Sequence, residues 1–127
     1  MRVGKWKESV IMKILRSKIK IGKVVKNIYY RGIWDDKIFK KSIAIVGSRS
    51  MTRYGKDAVD KFVSEFVANG VTTISGFMYG VDTEVHQKTV DYGGRTVAVF
   101  GCGLDVIYPP ENEKLYNQIL ENKGLVI

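Results

Sequence analysis

Short apolar runs alternate with amphipathic segments along residues 42–127. The first run, at residues 43–46, is apolar throughout and ends at Gly47, which is typical of a strand that is covered on both faces of a parallel sheet. Runs of similar length recur as VTTIS at residues 71–75, TVAVF at 96–100 and LVI at 125–127. The pattern predicts four strands.

The segments between these runs predict helices. The first segment ends just before Gly70, and its apolar residues at helical spacing are Val59, Phe62, Val63, Phe66 and Val67. Residues 81–92, stopped by Gly93, and residues 111–122 predict two more helices. Strands that alternate with helices in this order form right-handed βαβ units. We therefore expect an α/β fold: a Rossmann-like, doubly wound, mainly parallel sheet with helices on both faces.

The amino-terminal part of the chain has a different pattern. A basic helix is predicted over about residues 5–17 from four apolar residues that share one face, namely Trp6, Val10, Ile14 and Leu15. The stretch NIYYRGIW at residues 27–34 is interpreted as extended, with a turn near Arg31 and Gly32. We divide the chain into a basic, helical segment at residues 1–27 and a Rossmann-like domain at residues 28–127.

Composition limits the class of protein. At 127 residues with 45% apolar content, the chain fits one domain with one core. It has no run of about 18 apolar residues that could span a bilayer, and its first residues lack the order of a secretory signal. The single cysteine, Cys102, excludes an internal disulfide and fits a reducing compartment. We expect a cytoplasmic protein.

The formal net charge of +8 comes from the amino-terminal third of the chain. Residues 1–41 carry thirteen Lys and Arg against three acids, whereas residues 42–127 carry eight against ten. This asymmetry predicts a polyanionic partner, either nucleic acid or an anionic membrane surface. A solvated lysine-rich surface is the alternative. Packing of the basic helix on its own domain is favoured over membrane binding.

Glycines follow each of the first three predicted strands, where parallel strands open onto one edge: Gly47, Gly76, Gly80, Gly101 and Gly103. Backbone amides approach an anion closely at glycine, and a following helix adds its positive end. Arg49 supplies a planar cationic fork for phosphate, and Tyr54 can stack on a base. Since neither G-x-G-x-x-G nor G-x-x-x-x-G-K-[ST] is present, the pattern favours an extended anionic ligand over a dinucleotide. Tight turns alone are the alternative explanation of the glycines.

Three segments resemble the DNA-processing protein A (DprA/Smf) family of bacterial proteins that bind single-stranded DNA. They are IAIVGSRSMTRYG at residues 43–55, ISGFMYGVDTEVHQ at 74–87 and GGRTVAVFGCGLDVIYPPENEKLY at 93–116. In the second segment the family typically has Ser-Gly-x-Ala-x-Gly-Ile-Asp followed by Ala-His. Three motifs in register make the resemblance specific, and it covers about residues 28–127.

The resemblance implies a non-enzymatic protein without a cofactor. Such a protein binds single-stranded DNA along the glycine edge, aids loading of a RecA-type recombinase during transformation or recombination, and forms a homodimer. The family's DNA-contacting arginine maps onto Arg49. The other residues assigned to the DNA-binding edge are Gly47, Ser48, Tyr54, Ser75, Gly76, Gly101, Gly103 and Tyr108. Asp82, His86 and Asp105 are expected to support the pocket, and the basic residues 1–41 to add salt-sensitive affinity.

The chain also departs from the family pattern. Phe77 and Met78 replace the usual small residue and are expected to narrow the pocket. Pro110 stands where many members carry a basic residue. The family continues beyond GLVI with a segment that completes the sheet and supports dimer contacts, so we expect the domain to be incomplete at its carboxyl end.

The alternative function is that of a nucleotide-binding or nucleotide-hydrolysing Rossmann protein similar to LOG-type phosphoribohydrolases. His86 with Asp82 or Glu84 near a phosphate pocket would fit hydrolysis, but a histidine that ties helix to loop is the favoured interpretation. The Pro-Gly-Gly-x-Gly-Thr segment of those enzymes is missing from the sequence, as is a His/Cys cluster for a metal. Asp105 is interpreted as a turn former, and Tyr108 either stacks on a base or packs under the loop.

Overall fold

A computed structural model describes residues 3–7 and 27–127, with side chains from residue 28 onward. Six strands are found in these ranges: β1 (Val3–Lys7), β2 (Asn27–Gly32), β3 (Ser42–Ala44), β4 (Thr72–Ser75), β5 (Thr96–Ala98) and β6 (Leu125–Val126). They form one sheet in the order β1-β2-β6-β5-β4-β3. The strands from β3 to β6 are parallel, and β2 is antiparallel to both β1 and β6. The predicted mainly parallel sheet is confirmed.

Three α-helices connect the parallel strands: α1 (Arg53–Ala68), α2 (Val81–Asp91) and α3 (Glu113–Glu121). Each connection leads to the neighbouring strand, always in the same direction across the sheet. Right-handed crossovers therefore place all three helices on one face. Ala98 and Val126 of the sheet pack there against Leu115 and Ile119 of α3.

The opposite face is covered by the connection from β2 to β3. This segment crosses the parallel strands and contains a 3-10 helix, Asp36–Phe39. Its Ile38 is 1% exposed and packs on Val97 and Leu125, which alternate along their strands with the residues that face the α-helices. Helices therefore lie on both faces of this Rossmann-like α/β sheet, the three α-helices on one face and the 3-10 helix Asp36–Phe39 on the other; a second 3-10 helix, Pro110–Asn112, directly precedes α3.

The helices lie where the hydrophobic spacing predicts them. α1 is followed by Gly70, whose φ is 68°, and the N–H of Val71 donates to the carbonyl of Phe66 at 2.9 Å. Glycine adopts this left-handed conformation without strain and thereby reverses the chain. Gly93, with a φ of 73°, follows α2 in the same way.

β3 is an edge strand within the described residues, and the prediction that residues 43–46 are covered on both faces is wrong. β3 pairs with β4 alone. Ile43 and Ile45 are half-buried, whereas Val46 is 73% exposed. An edge strand that is covered on one face buries only alternate residues, however apolar its sequence is.

The described amino-terminal residues form a strand rather than a helix. In β1, Lys5 lies opposite Tyr29 of β2, so the prediction of a helix that begins at residue 5 is wrong for residues 5–7. The rest of that predicted helix lies outside the described residues. β1 pairs with backbone groups that β2 would otherwise leave unpaired at its edge. It joins the same sheet as the remainder of the chain, and a domain boundary at residue 27 stays a prediction.

β2 itself is extended, as predicted, and it ends at Gly32, whose φ is 111°. Arg31 still pairs with Val3 of β1 and with Val126 of β6, so the strand continues through Arg31 and its regular conformation ends at Gly32. No helix in the described ranges is long and apolar enough to cross a membrane.

Candidate nucleic-acid interface

The loops after β3 and β4 are fastened to each other. The backbone N–H of Val81, the first residue of α2, donates to the carbonyl of Ser48 at 3.1 Å. Gly80 has a φ of 78°, and a β-carbon added to it would overlap the carbonyl oxygen of Ser48. The two loops can approach this closely because residue 80 is a glycine.

The loop between β3 and α1 presents an unpaired cation. The Ser48 hydroxyl donates to the Ser50 carbonyl at 3.2 Å and accepts from the Ser50 N–H at 3.0 Å, so it shapes the loop. Gly47 packs on Val81, whose side chain would lie 2.8 Å from a β-carbon at position 47. Arg49 is exposed and makes no hydrogen bond or ion pair with the other described residues. Its guanidinium is free to bind an anion.

The amino terminus of α1 adds positive potential beside this loop. Thr52 caps the helix by accepting from the N–H of Gly55 at 3.0 Å. The first turn contains Arg53 but no acidic residue, whereas α2 and α3 both have acids in their first turns. Helix amino termini favour negative charge, so α1 is the one of the three described α-helices that leaves this preference unmet. Tyr54, 83% exposed, lies on the same turn.

The loop between β4 and α2 turns its largest side chain inward. Phe77 has a φ of 64° and is 0% exposed, and its ring centroid lies 4.9 Å from that of Phe100. The prediction that Phe77 narrows the pocket is therefore wrong, because its backbone conformation directs the ring into the core. Met78 is half-buried and does line a surface cavity.

Ser75 and Asp82 lie beneath this loop. Ser75, at the end of β4, is 3% exposed, and its hydroxyl has no hydrogen-bond partner among the described residues. Asp82 accepts from the N–H of Met78 at 3.4 Å, and its Oδ2 would lie 2.7 Å from a β-carbon on Gly76. Asp82 thus holds the loop from below. Direct contact between Ser75 and a ligand stays a prediction, and its burial argues against it.

His86 is buried under the same loop. Its Nδ1 lies 2.7 Å from Oγ1 of Thr96, which also accepts from the Thr73 hydroxyl at 2.8 Å. Burial lowers the pKa of His86 to about 3, and a hydrogen bond with the backbone of Ser75 opposes this only in part. The imidazole is therefore neutral near pH 7. It ties α2 to β5 and does not reach the surface of the edge.

A small cavity joins the second and third loops. Its volume is about 220 Å³, and its lining residues are Gly76, Met78, Phe100, Gly101, Cys102 and Tyr108. Tyr108 makes an edge-to-face contact with Tyr79, with ring centroids 6.2 Å apart and an interplanar angle of 81°. The Tyr79 hydroxyl donates to the Glu111 carboxylate at 3.2 Å. The edge thus combines a cationic loop with an exposed aromatic pair.

The outer part of the third loop is held by its own side chains. Gly103 and Asp105 are both exposed, and Oδ1 of Asp105 would lie 2.5 Å from a β-carbon on Gly103. Asp105 folds back onto the loop, in keeping with a turn former. Within residues 3–7 and 27–127, no group of three or more His, Cys, Asp or Glu is placed to hold a metal ion.

Two residues of this edge were missed by sequence reasoning. Tyr79 stands between Gly76 and Gly80, and an exposed aromatic inside a glycine loop was the signal that could have pointed to it. Glu111 carried no such signal, because it meets Tyr79 across 32 positions of sequence.

Comparison with known protein sequences identifies relatives in the DprA/Smf family. A family model described as DNA recombination-mediator protein A matches residues 14–127. Protein Smf of Synechocystis sp. is 38% identical over 103 residues, which are 79% of this chain and 26% of that protein. DNA processing protein DprA of Streptococcus pneumoniae is 38% identical over 92 residues, 72% of this chain and 32% of that protein. The chain spans about a quarter to a third of the length of these relatives.

Solved structures point the same way. The X-ray structure of DNA processing protein A from Streptococcus pneumoniae matches with a TM-score of 0.77 and 28% identity, over 98% of this chain and 43% of that one. DNA processing protein A from Helicobacter pylori, whose structure is described for its single-stranded DNA binding mode, matches with a TM-score of 0.74 and 26% identity. That match covers 98% of this chain and 54% of the other.

Proposed function

The chain belongs to the DNA recombination-mediator protein A family, as its resemblance to DprA/Smf proteins predicts, and from that premise we propose that it binds single-stranded DNA along the carboxyl edge of its sheet. Arg49 and the backbone amides of the loop after β3 hold the phosphates. The Helicobacter pylori relative, described for its single-stranded DNA binding mode, shares the fold over 98% of this chain and supports the proposal.

The observation that carries the proposal is the unpaired Arg49 beside the uncompensated amino terminus of α1. A guanidinium with no partner among the described residues, next to a first turn without an acid, attracts anions and repels cations. Bases vary along DNA whereas phosphates do not, so a site of this kind binds without regard to sequence.

We extend the proposal to the biological role. The chain mediates recombination in the cytoplasm by helping a RecA-type recombinase onto single-stranded DNA, acts as a homodimer and needs no cofactor. The family description as a recombination mediator supports this role.

The proposed role involves no catalysis by His86. The imidazole is 0% exposed and its pKa is lowered to about 3, so it does not meet a substrate at the surface and is a poor base near pH 7. This burial also weakens the alternative of a nucleotide hydrolase that uses His86 with Asp82 or Glu84.

Fluorescence anisotropy of a labelled oligo(dT), titrated with the wild type and with Arg49→Ala over a range of salt concentrations, tests the proposal. We expect Arg49→Ala to weaken binding about tenfold at low salt, because a charge-assisted hydrogen bond to phosphate is lost. A plot of log affinity against log salt has a negative slope, and its magnitude should decrease by about 0.7 in Arg49→Ala, the value for one phosphate contact on a single strand.

Lys61→Ala is the matched control, since it removes an exposed positive charge about two turns along α1 from Arg53 at its amino terminus. It should leave the salt slope unchanged. Equal affinity of the wild type and Arg49→Ala would overturn the proposed site.

A further inference from the structure

Charge divides the carboxyl edge into two sides. The charged residues of the β3–α1 side, residues 45–53, are Arg49 and Arg53, both exposed. On the β5–α3 side, residues 99–111, they are Asp105 and Glu111, also exposed. Phosphate is attracted to the first side and repelled by the second. This distribution of charge favours an orientation in which the backbone of a single strand lies on the arginine side and its bases point towards the acidic side.

Tyr79 lies where those bases would be. A β-carbon added to its neighbour Gly80 would overlap the backbone carbonyl oxygens of Ser48 and Arg49, so Tyr79 lies next to the arginine side of the edge. Its ring in turn contacts that of Tyr108, which borders the 220 Å³ cavity. Tyr79 and Tyr108 are 39% and 50% exposed as residues, so neither is fully covered by the other described residues beside the cavity.

Two separate sets of hydrogen bonds hold Tyr79 and the loop that carries it against residues 111–112. The Tyr79 hydroxyl donates to Glu111 at 3.2 Å. The side-chain amide of Asn112 donates to the Thr83 hydroxyl at 2.8 Å, and that hydroxyl donates to the carbonyl of Met78 at 2.6 Å. Aromatic rings that are ordered before binding lose little entropy when a base stacks on them.

We propose that Tyr79 and Tyr108 form a stacking platform for the bases of single-stranded DNA whose phosphates lie against Arg49. The platform rests on the proposed function and deepens it, because it assigns the two halves of each nucleotide to opposite sides of the edge. Every base has a π face, so the platform tolerates any sequence. Tyr79 is the decisive residue, because it lies between the phosphate side and the cavity.

Two labelled ligands of about 12 nucleotides, within the site sizes known for single-strand binders, separate base contacts from phosphate contacts. One is oligo(dT); the other is an abasic oligomer that keeps the phosphates and lacks bases. Arg49→Ala should weaken binding of both ligands. Tyr79→Leu and Tyr108→Leu should each weaken binding of oligo(dT) about tenfold, as expected for one lost stacked base, and leave binding of the abasic oligomer unchanged.

Two control variants distinguish stacking from a purely structural role. Tyr79→Phe loses the bond to Glu111 but keeps the ring and its contact with Tyr108, so it should bind oligo(dT) much more tightly than Tyr79→Leu and close to the wild type. Tyr92→Leu removes a similar tyrosine, 45% exposed and bonded to Asp60 at 2.7 Å, from the far end of α2, and it should change neither affinity.

The outcomes are distinct. Equal weakening of both ligands by Tyr79→Leu, no weakening of either, or a Tyr79→Phe variant as weak as Tyr79→Leu would overturn the platform and leave phosphate binding intact. If the wild type binds neither ligand, or if Arg49→Ala changes neither affinity, the proposed function fails and the platform fails with it.

Discussion

The N–H of Val81 donates to the carbonyl of Ser48 at 3.1 Å, and this bond joins the first turn of α2 to the loop after β3. Gly80, which precedes the helix, has no side chain to cap it. The Ser48 carbonyl therefore satisfies a helix N–H that would otherwise lack a partner. The start of α2 and the shape of the phosphate loop depend on each other.

Gly80→Ala should separate the two loops. The new β-carbon would overlap the Ser48 carbonyl, and alanine is strained at a φ of 78°. We expect the free energy of unfolding to fall by about 2 to 3 kcal/mol, and oligo(dT) affinity to fall with it, because Arg49 is displaced. Urea denaturation and anisotropy measure the two effects.

Gly70→Ala is the matched control for this substitution. Its φ is 68°, but a β-carbon there meets no atom within 4 Å. It should lower the free energy of unfolding by about 1 kcal/mol, the cost of backbone strain alone, and leave DNA affinity unchanged. Equal stability losses in the two variants would contradict the proposed clash at Gly80.

Stability should depend on pH through His86, the single histidine of the chain. Its pKa is about 3 when folded and near 6.5 when unfolded, so the unfolded state binds more protons between these values. The stabilisation is complete above pH 6.5 and is lost as the pH falls. We expect the free energy of unfolding to drop by about 2 kcal/mol between pH 7 and pH 5.

Urea denaturation at pH 7, 6 and 5 measures this effect, with His86→Asn as the comparison. The amide of asparagine can still bond to Thr96 but does not titrate in this range. The variant should be less stable at pH 7 and should lose much less stability on acidification. A His86→Asn variant with the same pH slope as the wild type would show that another group is responsible.

Charge reversal should affect DNA binding at one edge of the sheet only. Arg53 lies on the first turn of α1 at the carboxyl edge, whereas Lys40 precedes β3 at the opposite edge, and both are exposed. Arg53→Glu should weaken oligo(dT) binding about tenfold. Lys40→Glu should change it less than about twofold at 0.15 M salt, because the charge lies beyond a Debye length of about 8 Å.

This comparison also tests a sequence-based expectation. Residues 1–41 were expected to add salt-sensitive affinity, yet Lys37, Lys40 and Lys41 lie at or near the edge away from Arg49. A large effect of Lys40→Glu would mean that DNA also contacts that side of the sheet.

Local spacing accounts for what was predicted correctly about the fold. Apolar residues three and four positions apart locate α1, because one face of any helix must be buried. Coverage of β3 was predicted wrongly, because the number of strands that pair with β3 is a property of the whole sheet. A buried central strand and an apolar edge strand look alike in sequence.

The sequence by itself determined the α/β order and the edge at which the glycines gather, because the carboxyl ends of parallel strands must share one side of the sheet. Arg49, in the loop that follows β3, is exposed, which agrees with the expectation that it lies at this edge. Only the tertiary structure decided that Phe77 turns into the core, that His86 is buried and neutral, and that Tyr79 meets Tyr108. These outcomes depend on contacts between separate loops and strands, which no local periodicity encodes.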